Sequence, residues 1–279
     1  MSADSPIKTW FITGCSSGFG HCIAEAALAR GQRVIATARN IKSIAGLEGP
    51  ACQLLQLDVT DGVAITECIA HAHQIFGGLD VIVNNAGYGL IGAVEECSDE
   101  QIRRNMETNY FGPLNVIRAV LPHLREQRSG HIVNISAAAA LSNYAGFGIY
   151  GGAKAALELM SESLSAELKP LGIKVTLVQP GPYRTNFISR SLLKVDQAIG
   201  DYAATSGKFA AFLASMDGRQ PGDPAKAAEL IVQKVLAGDA PLRLPLGSYM
   251  IKKMRGKSAA LAKDAEEWAE AASSTDFAS

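Results

Sequence analysis

The heptapeptide "GIYGGAK" at residues 148–154 sets a tyrosine four residues ahead of a lysine, soon after the apolar run "HIVNIS". On a helix, positions i and i+4 share a face, so the Tyr150 hydroxyl and the Lys154 ammonium can converge on one point. The chemistry open to such a pair is proton transfer. A free tyrosine titrates at about pH 10, so it exchanges its proton usefully at neutral pH only where the phenolate is stabilised, as a neighbouring ammonium would do. The same spacing also arises on ordinary solvated helix faces, and only the surroundings give the pair a meaning.

A second constellation is "TGCSSGFG" at residues 13–20. Gly14, Gly18 and Gly20 permit a tight turn and close backbone approach, and a helix starting there offers unpaired N–H groups to a phosphate. Its place between a first strand and a first helix points to a nucleotide phosphate, although the spacing is G-x3-G-x-G rather than G-x-G-x-x-G. The next apolar run ends "ATARN". An acidic residue there would hold the ribose 2′-hydroxyl of NAD; instead Ala38 is followed by Arg39, whose guanidinium suits a 2′-phosphate. The pattern favours NADP(H) over NAD(H), and a merely solvated Arg39 is the alternative reading.

These residues need a scaffold, and the chain supplies a regular one. Apolar, β-rich runs fall at residues 8–13, 33–37, 52–58, 79–85, 131–136, 174–179 and 242–246. Helical patterns separate most of them, at 21–31, 116–127, 155–168 and after Pro224, with Gly31 as a C-terminal stop and Pro224 at a first helical position. Alternation of this kind predicts an α/β fold: a single doubly wound, Rossmann-like domain over 1–279, with about seven parallel strands and helices on both faces. In such sheets ligands bind beyond the carboxyl ends of the strands, where strand order reverses. The loops after each strand are therefore the places to look for chemistry.

Composition narrows the function classes. The 279 residues are 48% hydrophobic and 19% charged, with a formal net charge of -1, enough for a full core and without the field that would favour nucleic acid or an anionic membrane. No run of apolar residues is long enough for a membrane span, and the start "MSADSPIKTWFITG" lacks the features of a secretory leader. Cys15, Cys22, Cys52, Cys68 and Cys97 are scattered and odd in number, which suits free thiols in a reducing cytoplasm. His71 and His73 would point to different faces of one helix, so no metal site is expected.

Taken together, "TGCSSGFG", "LDV" (57–59), "NNAG" (84–87), "TNYFG" (108–112), "YGGAK" (150–154) and "PGPYRT" (180–185) resemble, in order and spacing, the motifs of the short-chain dehydrogenase/reductases. The likeness runs from about residue 7 to about residue 247 and is strongest to the steroid- and retinoid-dehydrogenase-like branch and its bacterial relatives. The resemblance implies that Ser16, Ser17, Gly18 and Phe19 belong to the cofactor loop with Gly14 and Gly20. It implies that Asp58 and Val59 flank the adenine and that Asn85, Ala86 and Gly87 line the cofactor. Pro180, Gly181 and Thr185 would hold the nicotinamide end. Tyr150 becomes the general acid/base, Lys154 the cation that lowers its pKa and grips the nicotinamide ribose, and Asn109 the support of a proton relay. A homodimer or homotetramer is implied as well.

One residue departs from the family pattern. A serine that holds the substrate oxygen usually stands 13 residues before the tyrosine, and here that position is Ala137, in "NISAAAAL". Three readings stay open: Ser136 takes the role through an altered strand end, the alanine was introduced deliberately, or the chain is a natural member with weakened chemistry. Strand parity opposes the first, because neighbouring side chains face opposite ways.

The segment of about 183–220 is long for a connection between strands, and the resemblance implies that it forms a lid over the substrate. Tyr183, Phe187, Phe209 and Phe212, together with Leu90, Tyr144, Phe147 and Ala137, are candidates for an apolar pocket, although each could equally be core. The tail of about 248–279 reads as a polar helical extension that closes over a pocket or packs on a partner subunit. The sequence thus points to an NADP(H)-dependent oxidoreductase acting on an apolar carbonyl or alcohol. The rival reading is a nucleotide-binding sensor or scaffold without turnover, suggested by Ala137 alone.

Overall fold

Each of the seven apolar runs becomes a strand of one parallel sheet. These are β1 (Thr9–Ile12), β2 (Arg33–Ala38), β3 (Cys52–Gln56), β4 (Val81–Asn84), β6 (Gly130–Ile135), β7 (Ile173–Pro180) and β9 (Arg243–Leu246), in the spatial order β3-β2-β1-β4-β6-β7-β9. The structure, a computed structural model, describes residues 6–277. Strand order reverses between β1 and β4, and the crevice there opens at the carboxyl ends of the strands.

Period-two alternation divides the core. Trp10 and Ile12 of β1 face one side, where they pack with residues of α1 (Gly18–Ala29) and α9 (Pro224–Ala237). Phe11 faces the other, packing with α2 (Gly62–Ile75), α4 (Gly112–Glu126) and α6 (Gly148–Leu168). Strands buried on both faces explain the continuous apolar runs of the sequence. Helix entry is fixed locally: Asp61 accepts from the Val63 and Ala64 N–H groups, and Asp223 does the same for Ala225 and Lys226 ahead of Pro224.

Further elements surround the sheet, several of them beyond the sequence expectation. β5 (Gly89–Ile91) pairs with β8 (Leu192–Lys194) as a separate two-stranded parallel ribbon, tying the loop after β4 to the 183–220 segment. A short helix α3 (Asp99–Met106) carries a Ser98/Gln101 capping box and runs into a π-helical turn over Glu107–Phe111. The turn α5 (Ala138–Leu141) follows β6, while α7 (Phe187–Arg190) and α8 (Lys208–Ser215) lie in the 183–220 segment. The chain closes with α10 (Ser248–Ser273), a single helix of 26 residues. Among the described residues no helix is long and apolar enough to cross a membrane.

Candidate active site

A cavity of about 1020 Å³ lies at the point where strand order reverses. The loop after β1 contributes Gly14, Ser16, Ser17, Gly18 and Phe19, the end of β2 Arg39, and the loop after β3 Asp58 and Val59. Asn85, Ala86 and Gly87 enter from β4, Ser136 and Ala137 from β6, and Pro180, Gly181 and Thr185 from β7. Motifs spread over 170 residues therefore meet because every one of them follows a strand of the same parallel sheet.

The loop after β1 has the character of an anion cradle. Gly14 has φ of +71°, and a Cβ there would lie 2.8 Å from the Ala86 Cα, so the β1 and β4 loops can touch only through glycine. Asn85 stitches them together, donating its Nδ2 to the carbonyls of Thr13 and Gly14 at 2.9 Å each. Ser17 stands at the N-cap of α1 without a side-chain cap bond, so the helix's first N–H groups and the Ser17 hydroxyl remain free to bind a ligand. Gly20 corrects the expectation that it lines the cofactor site. It is buried off the cavity, and a Cβ there would meet Asn85 Nδ2 at 2.4 Å and the Gly14 carbonyl at 2.6 Å. Its role is to let α1 pack close to the loop.

Arg39 is exposed at the cavity edge and has no carboxylate partner among the described residues. Asp58 spends Oδ1 on the Thr60 N–H at 3.0 Å and on the Thr60 hydroxyl at 2.8 Å, leaving its other oxygen to the pocket.

Tyr150 and Lys154 stand one turn apart on α6, both buried and both lining the cavity. The Lys154 Nζ donates to the Ile135 carbonyl at 2.9 Å, which fixes the ammonium at the end of β6. Burial pushes the Lys154 amine down to about 8, with the Glu158 carboxylate pulling the other way. The expectation that Lys154 lowers the Tyr150 pKa meets a stronger opposing effect: burial pushes the phenol above its ordinary value. In this state Tyr150 holds its proton, as a donor to a carbonyl oxygen must.

Asn109 lies in the π-helical turn, a local widening frequent at functional sites. Its Nδ2 donates to the carbonyls of Tyr88 at 2.9 Å and Asn105 at 3.1 Å, while its buried Oδ1 has no partner. A Cβ on Gly87 would stand 2.6 Å from that Oδ1 and 3.4 Å from Lys154 Nζ. An orphaned acceptor, an ammonium and a glycine-lined gap thus face one another, an arrangement that fits a polyhydroxyl group such as a ribose. The unspent N–H groups of α1, the unpaired Arg39 and this gap together fit a dinucleotide.

The two residues at the end of β6 differ in direction. Ser136 lines the cavity, but its hydroxyl donates to Glu158 Oε1 at 2.5 Å. Glu158 is itself buried, accepts from Gln179 Nε2 at 2.9 Å on both oxygens, and lies 4.0 Å from the Arg243 Nε. Ala137, by contrast, packs in an apolar cluster with Tyr150, Phe147 and Ile91. A side-chain oxygen at position 137 would therefore share a cluster with the tyrosine, whereas the one at 136 is held by a carboxylate.

The outer cavity is an aromatic wall. Tyr144 stacks on Phe209 with ring centroids 4.8 Å apart, and Phe147 meets Tyr150 edge-on at 5.2 Å. Phe187, Phe212 and Tyr183 line it too, so the 183–220 segment does supply one side of the pocket. Leu90 is the exception: it is fully buried and off the cavity, because strand parity in β5 turns Ile91 rather than Leu90 toward the Tyr150 cluster. Two contributors escaped the sequence reading. Tyr249, from the first turn of α10, lines the cavity and hydrogen-bonds the Tyr144 hydroxyl, and nothing local in the tail sequence signals that contact. Glu158, at i+4 from Lys154, was legible in spacing but not in partners.

Comparison with known proteins agrees with this geometry. The family model described as short chain dehydrogenase matches residues 8–194. The fold superposes on the crystal structure of a short-chain dehydrogenase from Streptomyces avermitilis with a TM-score of 0.91 and 40% identity, covering 98% of this chain and 100% of that one. A Burkholderia cenocepacia short chain dehydrogenase, solved in complex with NADP, matches with a TM-score of 0.74 and 25% identity over 95% of this chain and 98% of its own. The 3-ketodihydrosphingosine reductase of Bacteroides thetaiotaomicron is 34% identical over 242 residues, 85% of this chain and 86% of that protein.

Proposed function

Because the chain belongs to the short-chain dehydrogenase family, we propose that it is an NADP(H)-dependent oxidoreductase that interconverts a hydrophobic ketone and its secondary alcohol. The observation that carries this reading is the placement of Tyr150 and Lys154, buried together where the nucleotide cradle meets an aromatic wall. The relatives' names support a nicotinamide-nucleotide oxidoreductase, neighbours being solved with NAD or with NADP and one relative being named 3-ketodihydrosphingosine reductase; the NADP reading rests on Arg39.

Ser16, Ser17 and Gly18 with the α1 N-terminus would hold the pyrophosphate, Arg39 the 2′-phosphate, and Asp58 and Val59 the adenine. Lys154 and Asn109 would hold the ribose of the nicotinamide, and Pro180, Gly181 and Thr185 the nicotinamide itself. When bound, the cofactor supplies the hydride that reduces the carbonyl carbon, or accepts it from the alcohol. Everything else falls to the chain. The Tyr150 O–H donates its proton to the developing alkoxide oxygen, Lys154 steadies the negative charge left on the phenol oxygen, and the aromatic wall excludes water while it orients the apolar substrate.

Ala137 weakens this apparatus. The substrate oxygen has Tyr150 as donor but no second hydroxyl from position 137, and a missing transition-state donor costs on the order of a hundredfold in rate or more. That residue also favours a second reading, a nucleotide sensor without turnover. Tyr150→Phe separates the two in an assay of NADPH oxidation with apolar ketones. An oxidoreductase loses turnover and keeps NADPH affinity, whereas a sensor binds NADPH and shows no turnover in either form, even with Ala137→Ser.

A further inference from the structure

The root of α10 is anchored and the rest is bare. Met250 is fully buried and Tyr249 packs at the cavity, yet every residue from Ser258 to Phe277 is exposed, including Leu261 at 53% and Trp268 at 65%. The helical part of that stretch projects for about 24 Å without a surface of its own chain beneath it. A helix of such length is marginal in water unless one face is packed.

Its charges are segregated. Lys252, Lys253, Arg255, Lys257 and Lys263 occupy the first part, with no acid among them. Asp264, Glu266, Glu267 and Glu270 occupy the second, with no base. Bases near the amino end and acids near the carboxyl end oppose the helix dipole, and no residue of α10 forms an ion pair among the described residues. The pattern therefore does nothing for the helix alone. A stripe of Met254, Leu261, Ala265, Trp268 and Ala272 runs along one side at helical spacing.

The geometry points to a homodimer in which α10 of one protomer pairs antiparallel with α10 of its partner, about a two-fold axis near Leu261. Antiparallel pairing lays each basic half on an acidic half, twice over, as an isologous interface requires. With the axis there, Met254 comes opposite the partner's Trp268, Leu261 opposite its own copy, and Arg255 opposite the partner's Glu267. An anionic membrane or nucleic acid would repel the acidic half, and a peptide of one sign would match only half the helix. A second copy matches both. This inference is independent of the catalytic reading.

The test is molar mass by sedimentation over on the order of 1 to 100 µM full-length protein, since one helix per protomer is a small interface. Two charge-swapped variants are compared, Arg255→Glu/Lys257→Glu/Lys263→Glu and Glu266→Lys/Glu267→Lys/Glu270→Lys. Each alone should weaken association on the order of a hundredfold or more through like-charge contact and halve the particle mass. Mixing the two should restore it, and Leu261→Cys should form a disulfide between protomers under oxidation. A wild-type monomer throughout the range, a mass unchanged in both variants, or swaps that mixing does not rescue would overturn the pairing. Unchanged thermal unfolding of the body confirms that each variant is folded.

Discussion

Ser136 gives its hydroxyl hydrogen to the buried Glu158 carboxylate at 2.5 Å. The next residue, Ala137, turns a methyl group into the Tyr150 cluster. One step along the extended chain just past β6 thus separates a hydroxyl that is occupied from a position that lacks one, because successive side chains of extended backbone face opposite ways.

Restoring an oxygen at position 137 should accordingly help where removing the one at 136 does not. Ala137→Ser is expected to raise kcat for reduction of apolar ketones on the order of a hundredfold. Ser136→Ala should leave kcat within a few fold but lower stability by about 1–3 kcal/mol, because Glu158 loses a donor in a buried site. Steady-state rates and urea unfolding of the two variants decide the matter. Loss of turnover in Ser136→Ala at unchanged stability would reassign the role.

The Lys154 amine sets a pH limit. Burial holds it at about 8, so the ammonium is present below that pH and lost above it, and kcat/KM for NADPH, which reports groups of the free enzyme, should fall as pH rises through about 8. Glu158 opposes the depression. Glu158→Gln should therefore move the fall to lower pH, and an unmoved profile would separate the carboxylate from the lysine.

Arg39 is expected to choose the cofactor. Replacement by serine removes a charge-assisted contact to a 2′-phosphate, each worth about 1.5–3 kcal/mol, so KM for NADPH should rise roughly ten- to a hundredfold while that for NADH stays within a few fold. Parallel titrations with both nucleotides measure the ratio. Equal changes for the two would mean that Arg39 does not read the phosphate.

Acid should weaken the fold through His131. Burial, with Lys174 and Lys8 nearby, pushes its imidazole down to about 4 from 6.5, and its Nε2 lies 2.9 Å from the Thr176 hydroxyl. Between those pH values the unfolded chain binds a proton that the folded chain refuses, so stability present above 6.5 declines as pH falls toward 4. The full loss is about 3 kcal/mol. In urea melts at several pH values, His131→Gln should flatten this slope, and a slope identical to that of the wild type would place the acid sensitivity elsewhere.

Much of this protein was determined by local sequence. The seven apolar runs are strands because β-rich residues bounded by turn and helix signals have few alternatives, and the motif glycines, Tyr150, Lys154 and Arg39 are legible because each follows such a run at a spacing set by the turn it makes. Side-chain direction and distant contact are another matter. That Gly20 serves packing, that Leu90 turns away while Ile91 faces the tyrosine, that Glu158 takes the Ser136 hydroxyl, and that Tyr249 crosses from the tail to Tyr144 were decided only in the tertiary structure. The physical reason is that a residue's partners in the core depend on register and on how helices seat across the sheet, and those are settled by the packing of the whole chain rather than by any window of it.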